Sequence, residues 1–122
     1  MKIIAPHSPE KTKLAKVTAE MEKLGRPKIR VVFSHNDYGP IYRAIEGSHR
    51  LAAAAELELT PELIVLNEED EITEHDFDHA DLANALDSAM EPVWDGKSPI
   101  TAGIIVAYLD RNWNPPQYSF DD

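Results

Sequence analysis

The chain has 122 residues, of which 43% are hydrophobic and 28% are charged, and its formal net charge is −10. This length predicts one domain with an ordinary hydrophobic core. The absence of cysteine excludes disulfides, thiolate metal sites and a cysteine nucleophile. The amino terminus lacks the apolar run of a secretory signal, and no stretch approaches the ~20 apolar residues of a membrane span, so we expect a cytoplasmic protein.

The charge is divided unevenly along the chain. Residues 1–50 hold ten Lys and Arg against five acidic residues, whereas residues 51–122 hold two against seventeen. Non-specific DNA binding depends on neutralising many phosphates, which an acidic surface opposes. The asymmetry therefore disfavours DNA as a partner of this chain alone and favours a small anion, such as a nucleotide, in the basic half. A protein partner for the acidic half remains open.

The amino-terminal residues predict a short strand followed by a helix. Lys2-Ile3-Ile4 favours a first edge strand. The pair Ser8-Pro9 then supplies the oxygen-bearing N-cap and the first-position proline that begin many helices. Apolar residues recur at spacings of three and four up to Leu24, and Gly25 ends the pattern. We expect one face of this helix to pack on the core and its lysines to face solvent.

A β-hairpin and a strand–helix–strand unit follow. Apolar alternation and β-branching predict strands over 28–34 and 41–46, separated by a turn cluster over 35–40. An alanine-rich helix begins after Ser48, and a further strand covers 62–66. Strand, helix and strand of these lengths predict a right-handed parallel crossover. The start of the helix then lies at the carboxyl end of a strand, where open α/β sheets usually bind ligands.

The acidic half gives weaker patterns. Residues 67–71 are mostly acids and predict a solvated loop, and a helical stripe of apolar residues runs from 77 to 90. Residues 100–109 fit either a buried helix or a strand, and we favour the helix. The Pro-rich, aromatic segment 112–122 predicts an extended tail whose rings lie on the body of the protein or on a partner.

Two histidines in the acidic half have the spacing of metal ligands. His75 and His79 lie four residues apart, one helical turn, in a segment rich in aspartate. Such a pair can bind a divalent cation when both lie on one helix. However, the segment is not His-Glu-x-x-His, and its aspartates also suit the N-cap of the helix that follows. We therefore favour a capped helix start over a metal site here.

The junction between the strand at 41–46 and the alanine-rich helix is the segment Glu46-Gly47-Ser48-His49-Arg50. A helix start presents N–H groups without intrahelical partners, together with the positive end of the helix dipole, and so favours an anion. His49 and Arg50 place cations in the first turn, where the dipole favours Asp or Glu. A bound anion would remove this conflict, and we therefore predict a phosphate site.

This segment resembles the Gly-Cys-His-Arg segment of sulfiredoxins and the Gly-x-x-Arg segment of ParB amino-terminal domains, two branches of one superfamily. The resemblance covers about residues 1–67, mainly through the order of elements. It implies an α/β (α+β) fold, in which a small mixed sheet with flanking helices carries a phosphate-binding turn. It also implies a ParB/sulfiredoxin-like core over 1–67, with residues 68–122 as an acidic helical extension packed on the same domain.

Members of the superfamily bind nucleotide phosphates at this helix start, and the free-serine kinases use the fold for phosphoryl transfer. The resemblance implies that Gly47, Ser48, His49 and Arg50 hold the phosphates of ATP, ADP or CTP. Arg50 would pair with phosphate oxygens and His49 would donate a hydrogen bond. Ser48 has an alternative role as the cap of the helix, and His49 has one as an internal hydrogen-bonding group.

The candidate catalytic residues are Glu46 and His49. A carboxylate beside an anion site is costly unless it holds Mg²⁺ or deprotonates an acceptor hydroxyl, and either role would suit Glu46 in phosphoryl transfer. The alternative for Glu46 is a surface ion pair with Arg43 or Arg50.

The chain also departs from these families. Position 48 is serine where sulfiredoxins need cysteine, so reduction of a sulfinic acid is excluded. We recognise neither the second nucleotide motif, the helix-turn-helix module and the dimerisation domain of ParB proteins, nor the serine-binding residues of the kinases.

Two classes of function follow. The first is binding of a nucleotide or phosphorylated small molecule at Gly47–Arg50, with or without Mg²⁺-dependent phosphoryl transfer or NTP hydrolysis. The second is a non-catalytic, ParB-like module that regulates a DNA or protein partner. A third possibility is that the acidic half mimics DNA.

Overall fold

The structure, a computed structural model, describes residues 1–36, 39–72, 100–109 and 115–120. These residues form a small mixed α/β domain with one five-stranded sheet and three helices. The α/β class with a small mixed sheet, which was predicted from the sequence, is therefore confirmed. The elements in chain order are β1 (Lys2–Ile4), α1 (Lys11–Leu24), β2 (Lys28–Asn36), β3 (Gly39–Ala44), α2 (Ser48–Glu56), β4 (Glu62–Leu66), α3 (Ala102–Leu109) and β5 (Gln117–Ser119).

The strands are ordered β4-β2-β3-β1-β5. β2 and β3 pair antiparallel, so the predicted hairpin is confirmed. β1 was predicted as an edge strand, and this is wrong, because β1 pairs with β3 on one side and β5 on the other. The predicted parallel crossover from β3 through α2 to β4 is also wrong, since β4 runs parallel to β2 and pairs with it instead. The chain after α2 therefore passes beyond β3 to reach the far side of β2.

Helix α1 begins two residues later than the Ser8-Pro9 pattern predicts. Its N-cap is Glu10, whose carboxylate accepts hydrogen bonds from the main-chain N–H groups of Thr12 and Lys13. A long-range contact explains the shift, because the N–H of Glu10 donates to Nε2 of His49 and so fixes the chain at this residue. The predicted end at Gly25 is confirmed, and Gly25 has a positive φ of 81°.

The cap of α1 leads to a prediction about pH. The hydrogen bonds from Lys13 and Thr12 lower the pKa of Glu10 below its ordinary value of 4.5. Because the folded pKa is the lower one, the cap stabilises the fold fully above the unfolded pKa and is lost as the pH falls through the folded pKa. Glu10→Ala is therefore expected to lower the thermal midpoint at pH 7, and the gap from wild type should narrow as the pH falls below 4.5. Glu22→Ala, at an exposed position of the same helix, is the control. A gap that stays constant with pH would contradict this role.

Two hydrophobic clusters occupy the two faces of the sheet. Alternation along β2 sends Val31 into one cluster and Val32 into the other. The first cluster packs α1 and α2 on the sheet through Met21, Leu51 and the neighbouring alanines. The second cluster joins β2 to α3 through Ala102, Ile105 and their neighbours. The first face positions the candidate site, because α1 and the start of α2 meet there.

The carboxy-terminal segment completes the sheet. β5 pairs antiparallel with β1, and Phe120 is buried in the first cluster. The predicted extended tail with its rings on the body is thus confirmed for residues 115–120. The helix favoured over 100–109 is also confirmed as α3. The edge strand β5 of the sheet therefore lies outside residues 1–67, the range predicted for the core.

The acidic loop after β4 is tied to α3 through its main chain. The carbonyls of Glu68 and Asp70 accept hydrogen bonds of 2.8 Å from the N–H groups of Gly103 and Ala102. The side chains of Glu68 and Glu69 are exposed, as predicted for a solvated loop. The predicted helix over 77–90 and the pair His75 and His79 lie outside the described residues. Within the described ranges, no helix is long and apolar enough to cross a membrane.

Candidate functional site

Gly47 links β3 to α2 in a conformation that only glycine adopts easily. Its φ is 78° and its ψ is 31°, the left-handed region. A Cβ at this position would lie 2.7 Å from Cδ1 of Ile29 and 3.3 Å from Nη2 of Arg50. Gly47 is also the N-cap residue of α2, and within the described part of the chain no side chain caps this helix. The capping role considered for Ser48 is therefore wrong, because Ser48 is the first residue of α2.

Ser48 and His49 fasten the segment before α1 to the start of α2. Ser48 is buried, and its Oγ accepts a hydrogen bond of 3.1 Å from the main-chain N–H of His7. Nε2 of His49 accepts one of 3.0 Å from the N–H of Glu10, so this nitrogen carries no proton. The rings of His7 and His49 pack edge to face, 5.7 Å apart. The internal hydrogen bond considered for His49 is thus confirmed, and a hydrogen bond from His49 to a ligand would have to come from Nδ1.

Glu46 is fully buried, with 0% of its surface exposed. Its Oε1 accepts from Nη2 of Arg50 and its Oε2 accepts from Nη1 of Arg30, at 2.5 and 3.1 Å. The ion pair with Arg50 considered from the sequence is confirmed, but its surface location is wrong, because the carboxylate lies inside the protein. The second partner, Arg30, lies on β2, sixteen residues away in the chain. No local pattern identifies such a pairing.

These contacts do not suit Mg²⁺ binding by Glu46. A magnesium ion needs carboxylate oxygens that point to it, and both oxygens of Glu46 already accept hydrogen bonds from arginine side chains. A general base must likewise reach the proton that it removes. The arrangement therefore favours a role for Glu46 in holding two arginines, and its catalytic role stays a prediction. The described residues contain no group of three or more His, Asp or Glu that could hold a metal ion.

Arg50 is positioned by three elements at once. The residue belongs to the first turn of α2, its Nη2 donates to Glu46 in the turn before the helix, and its Nη1 donates to the main-chain carbonyl of Lys28 in β2 at 2.8 Å. Its side chain is still 35% exposed. The guanidinium thus has a fixed position at the surface beside Gly47, which lowers the entropic cost of using it to bind a ligand.

A groove of about 400 Å³ lies between α1 and the start of α2. Gly47, His49 and Arg50 are among its lining residues, so the structure brings three of the predicted binding residues to one concave surface. The sequence analysis missed its other lining residues. Among them are two further cations, Lys13 and Arg26, and three apolar side chains of α1, Val17, Met21 and Leu24. In the sequence, the three apolar residues show only the spacing of an amphipathic helix, which predicts that they face the core and does not predict contact with a ligand.

Arg26 is held in place as Arg50 is. Its Nε donates to the carbonyl of Thr60 at 2.6 Å, and Nη2 donates to the carbonyl of Pro61. The groove thus contains two guanidinium groups that main-chain carbonyls hold, one lysine and one acid, Glu20. This balance makes the groove positive in a chain whose net charge is −10.

Comparison with known proteins gives no match to any family model, curated protein or solved structure. The small mixed α/β architecture therefore stands on the structure alone, and the relation to the ParB and sulfiredoxin superfamily remains a hypothesis based on the segment Glu46–Arg50 and on the order of elements.

Proposed function

We propose that the groove between α1 and α2 binds a phosphorylated small molecule, with the phosphate against Gly47 and Arg50. The observation that carries the proposal is the guanidinium of Arg50, which lines a positive groove and is held there by buried Glu46 and the Lys28 carbonyl. Fixed guanidinium groups bind phosphate oxygens in two-point geometry. The proposal includes nucleotides such as ATP, ADP and CTP, and it keeps the ParB/sulfiredoxin-like fold as its structural hypothesis.

The start of α2 supports the same location. The helix has no acidic residue in its first turn and no side-chain cap among the described residues, while Arg50 adds positive charge there. Cations near a helix N-terminus oppose the dipole by a few tenths of a kcal/mol up to ~1. The carboxylate of Glu46 already offsets part of this cost through its ion pair with Arg50, and a bound anion would offset more of it.

Binding without catalysis is the version that the contacts of Glu46 favour. Phosphoryl transfer with Glu46 as base or Mg²⁺ ligand would require this carboxylate to leave one of its two arginines and reach the groove. Binding requires no such movement, because Arg50 already lines the groove. We therefore place nucleotide or phosphate binding first and phosphoryl transfer second.

Thermal unfolding in the presence of ligands tests the proposal. Inorganic phosphate, ATP, ADP and CTP are added with and without Mg²⁺ to wild type and to Arg50→Met. A ligand at 100 times its dissociation constant adds ~2.7 kcal/mol to the free energy of unfolding, which raises the midpoint by several degrees for a domain of this size. We expect at least one phosphate-bearing ligand to give this rise in wild type and to lose it in Arg50→Met.

A matched pair of lysine variants distinguishes a loss of ligand binding from a loss of folding. Lys13 and Lys16 lie on the same helix, and of the two only Lys13 lines the groove. Lys13→Gln is expected to weaken ligand binding severalfold, and Lys16→Gln is expected to leave it unchanged. If no phosphate-bearing ligand shifts the wild-type midpoint, or if Lys13→Gln and Arg50→Met bind as well as wild type, the proposal fails.

A further inference from the structure

We infer that the β4 edge of the sheet is an interface between two copies of this chain, which pair β4 with β4 in antiparallel order about a two-fold axis. The inference concerns the sheet edge and does not depend on a ligand in the groove. Three features of the edge carry it, namely the exposed side of the strand, its apolar side chains and the opposite charges at its two ends.

Strand β4 lacks the protection that sheet edges usually have. It lies at the end of the strand order, and within the described ranges only β2 pairs with it. An edge strand directs main-chain N–H and C=O groups away from its sheet, and proteins commonly protect such edges with lysine, proline or a very short strand. The other edge strand, β5, has only three residues and follows Pro115 and Pro116. By contrast, β4 is entirely apolar from Leu63 to Leu66.

The apolar side chains of β4 match one another across a two-fold axis. An axis at Ile64 places Leu63 of each copy opposite Val65 of the other, because antiparallel strands run in reverse order. Leu63 and Val65 share a face of the sheet, since residues two apart in a strand point the same way. Val65 is 55% exposed, one of three large apolar residues that are exposed within the described ranges. Apolar residues directly opposite each other stabilise antiparallel pairing, so this axis gives Val65 an apolar partner.

The two ends of β4 carry opposite charges. Before the strand, Arg26 donates to the two main-chain carbonyls that precede it, and Lys28 lies on β2 beside its first residue. After the strand, the chain continues into Glu68 and Glu69. All four of these charged side chains are exposed. Antiparallel pairing brings the basic end of each copy to the acidic end of the other, and the symmetry repeats this contact. The charges therefore favour a second copy as the partner of this edge.

The net charge of the chain opposes association but does not decide it. Each copy carries a formal charge of −10, so two copies repel each other at long range. At physiological ionic strength, charges farther apart than about 8 Å are largely screened. The unlike charges at the ends of paired strands act over shorter distances than this, so the local attraction outlasts the long-range repulsion.

Sedimentation equilibrium of the full chain, without ligand and over a wide range of concentration, tests the interface. We expect wild type to dimerise reversibly. Val65→Lys is expected to raise the dissociation constant of the dimer about tenfold or more, because a lysine on an edge strand opposes edge-to-edge pairing. Val65 is more than half exposed, so this variant keeps the core, and its thermal midpoint should stay close to that of wild type. Gln117→Lys places the same charge at an exposed position of β5 and should leave the dimer unchanged.

Charge reversal at the two ends tests the antiparallel arrangement. One chain carries Arg26→Glu with Lys28→Glu, and another carries Glu68→Lys with Glu69→Lys. Each chain alone would place like charges together at both contacts, so we expect it to dimerise more weakly than wild type. In a mixture of the two chains both contacts join unlike charges, and a heterodimer should form. The heterodimer also shows that both chains are folded. No ligand is added, because Arg26 also lines the groove.

Several results would overturn the inference. A wild-type chain that stays monomeric at every concentration excludes a second copy at this edge, whatever else covers it. A dimer that persists in Val65→Lys, or one that is lost in Gln117→Lys, places the contact elsewhere on the molecule. If the mixture of reversed chains associates no better than each chain alone, the two ends do not meet and the antiparallel arrangement is wrong. None of these results depends on phosphate binding, so the proposed function is tested separately.

Discussion

Replacing Arg30 and Arg50 together with methionine is expected to lower the free energy of unfolding by ~3–5 kcal/mol, more than the sum of the two single replacements. The reason is the position of Glu46, which is fully buried and accepts one hydrogen bond from each arginine. Removing the last partner of a buried charge leaves that charge uncompensated, and this is the step that costs ~3–5 kcal/mol.

The single replacements should cost much less. The arginine side chains are 29% and 35% exposed, so water screens part of each interaction. In either single variant the other arginine still neutralises Glu46, and we expect a loss of ~1 kcal/mol for each. The excess in the double variant is a coupling energy, and contacts that share one partner commonly give ~0.5–3 kcal/mol.

Urea unfolding of the four chains of this cycle measures the coupling directly. Arg26→Met is the control, because Arg26 donates to main-chain carbonyls instead of to Glu46. A fifth chain, in which Glu46 is also methionine, should regain most of the lost stability, since an apolar replacement of a buried ionic cluster is often neutral or better. If the losses of the two single replacements simply add up to that of the double variant, neither arginine compensates for the absence of the other, and the prediction is wrong.

The Glu46 cluster also marks where inference from the sequence ends. The ion pair with Arg50 could be predicted because the two residues lie four apart at a helix start. Arg30 could not, since it reaches Glu46 only after the β-hairpin has formed. The same long-range pairing buries the carboxylate. The structure therefore favours a role for Glu46 in holding the two arginines over a role as a base or metal ligand.

The fold shows the same division between local and long-range information. Helix α2 and strands β2 and β4 follow from periodicity and breakers, and all were predicted at nearly their observed positions. The order of the strands does not follow from such signals. β1 is internal because β5, about 115 residues later in the chain, pairs with its outer side. Helix α1 starts late because the N–H of Glu10 binds His49.

The groove was missed for a related reason. Gly47, His49 and Arg50, which line the groove, were identified from a local segment of the sequence. Lys13 and Leu24 belong to a helix whose sequence suits a solvated amphipathic surface. Only the packing of α1 against α2 turns part of that helix into a wall of the site.

Gly47→Ala is the single replacement at the site from which we expect the largest loss of stability, ~2–5 kcal/mol. Two independent effects contribute to this figure. An L-residue in the left-handed region costs ~1–2 kcal/mol, and the φ of 78° requires that region. In addition, the new Cβ would lie 2.7 Å from Cδ1 of Ile29, so this fully buried side chain would have to shift, and overpacking of this kind costs ~1–3 kcal/mol.

The two effects can be separated by shortening Ile29. Ile29→Val removes the Cδ1 atom that the new methyl group would meet, at a cost of ~0.5–1.5 kcal/mol when made alone. In the chain with both changes the contact is absent, and only the cost of the left-handed backbone and the lost methyl remain. We therefore expect Gly47→Ala with Ile29→Val to be more stable than the sum of the single effects predicts.

Denaturant unfolding of wild type, the two single variants and the double variant measures this difference, and ligand binding gives a second reading. The Cβ would also lie 3.3 Å from Nη2 of Arg50, the nitrogen that donates to Glu46, so Gly47→Ala should move the guanidinium and weaken phosphate binding. Ile29→Val should remove the steric part of the stability loss without restoring this binding, because it relieves the contact with Ile29 and leaves the contact with Arg50. A double variant that is no more stable than additivity predicts would mean that the backbone conformation alone requires glycine here.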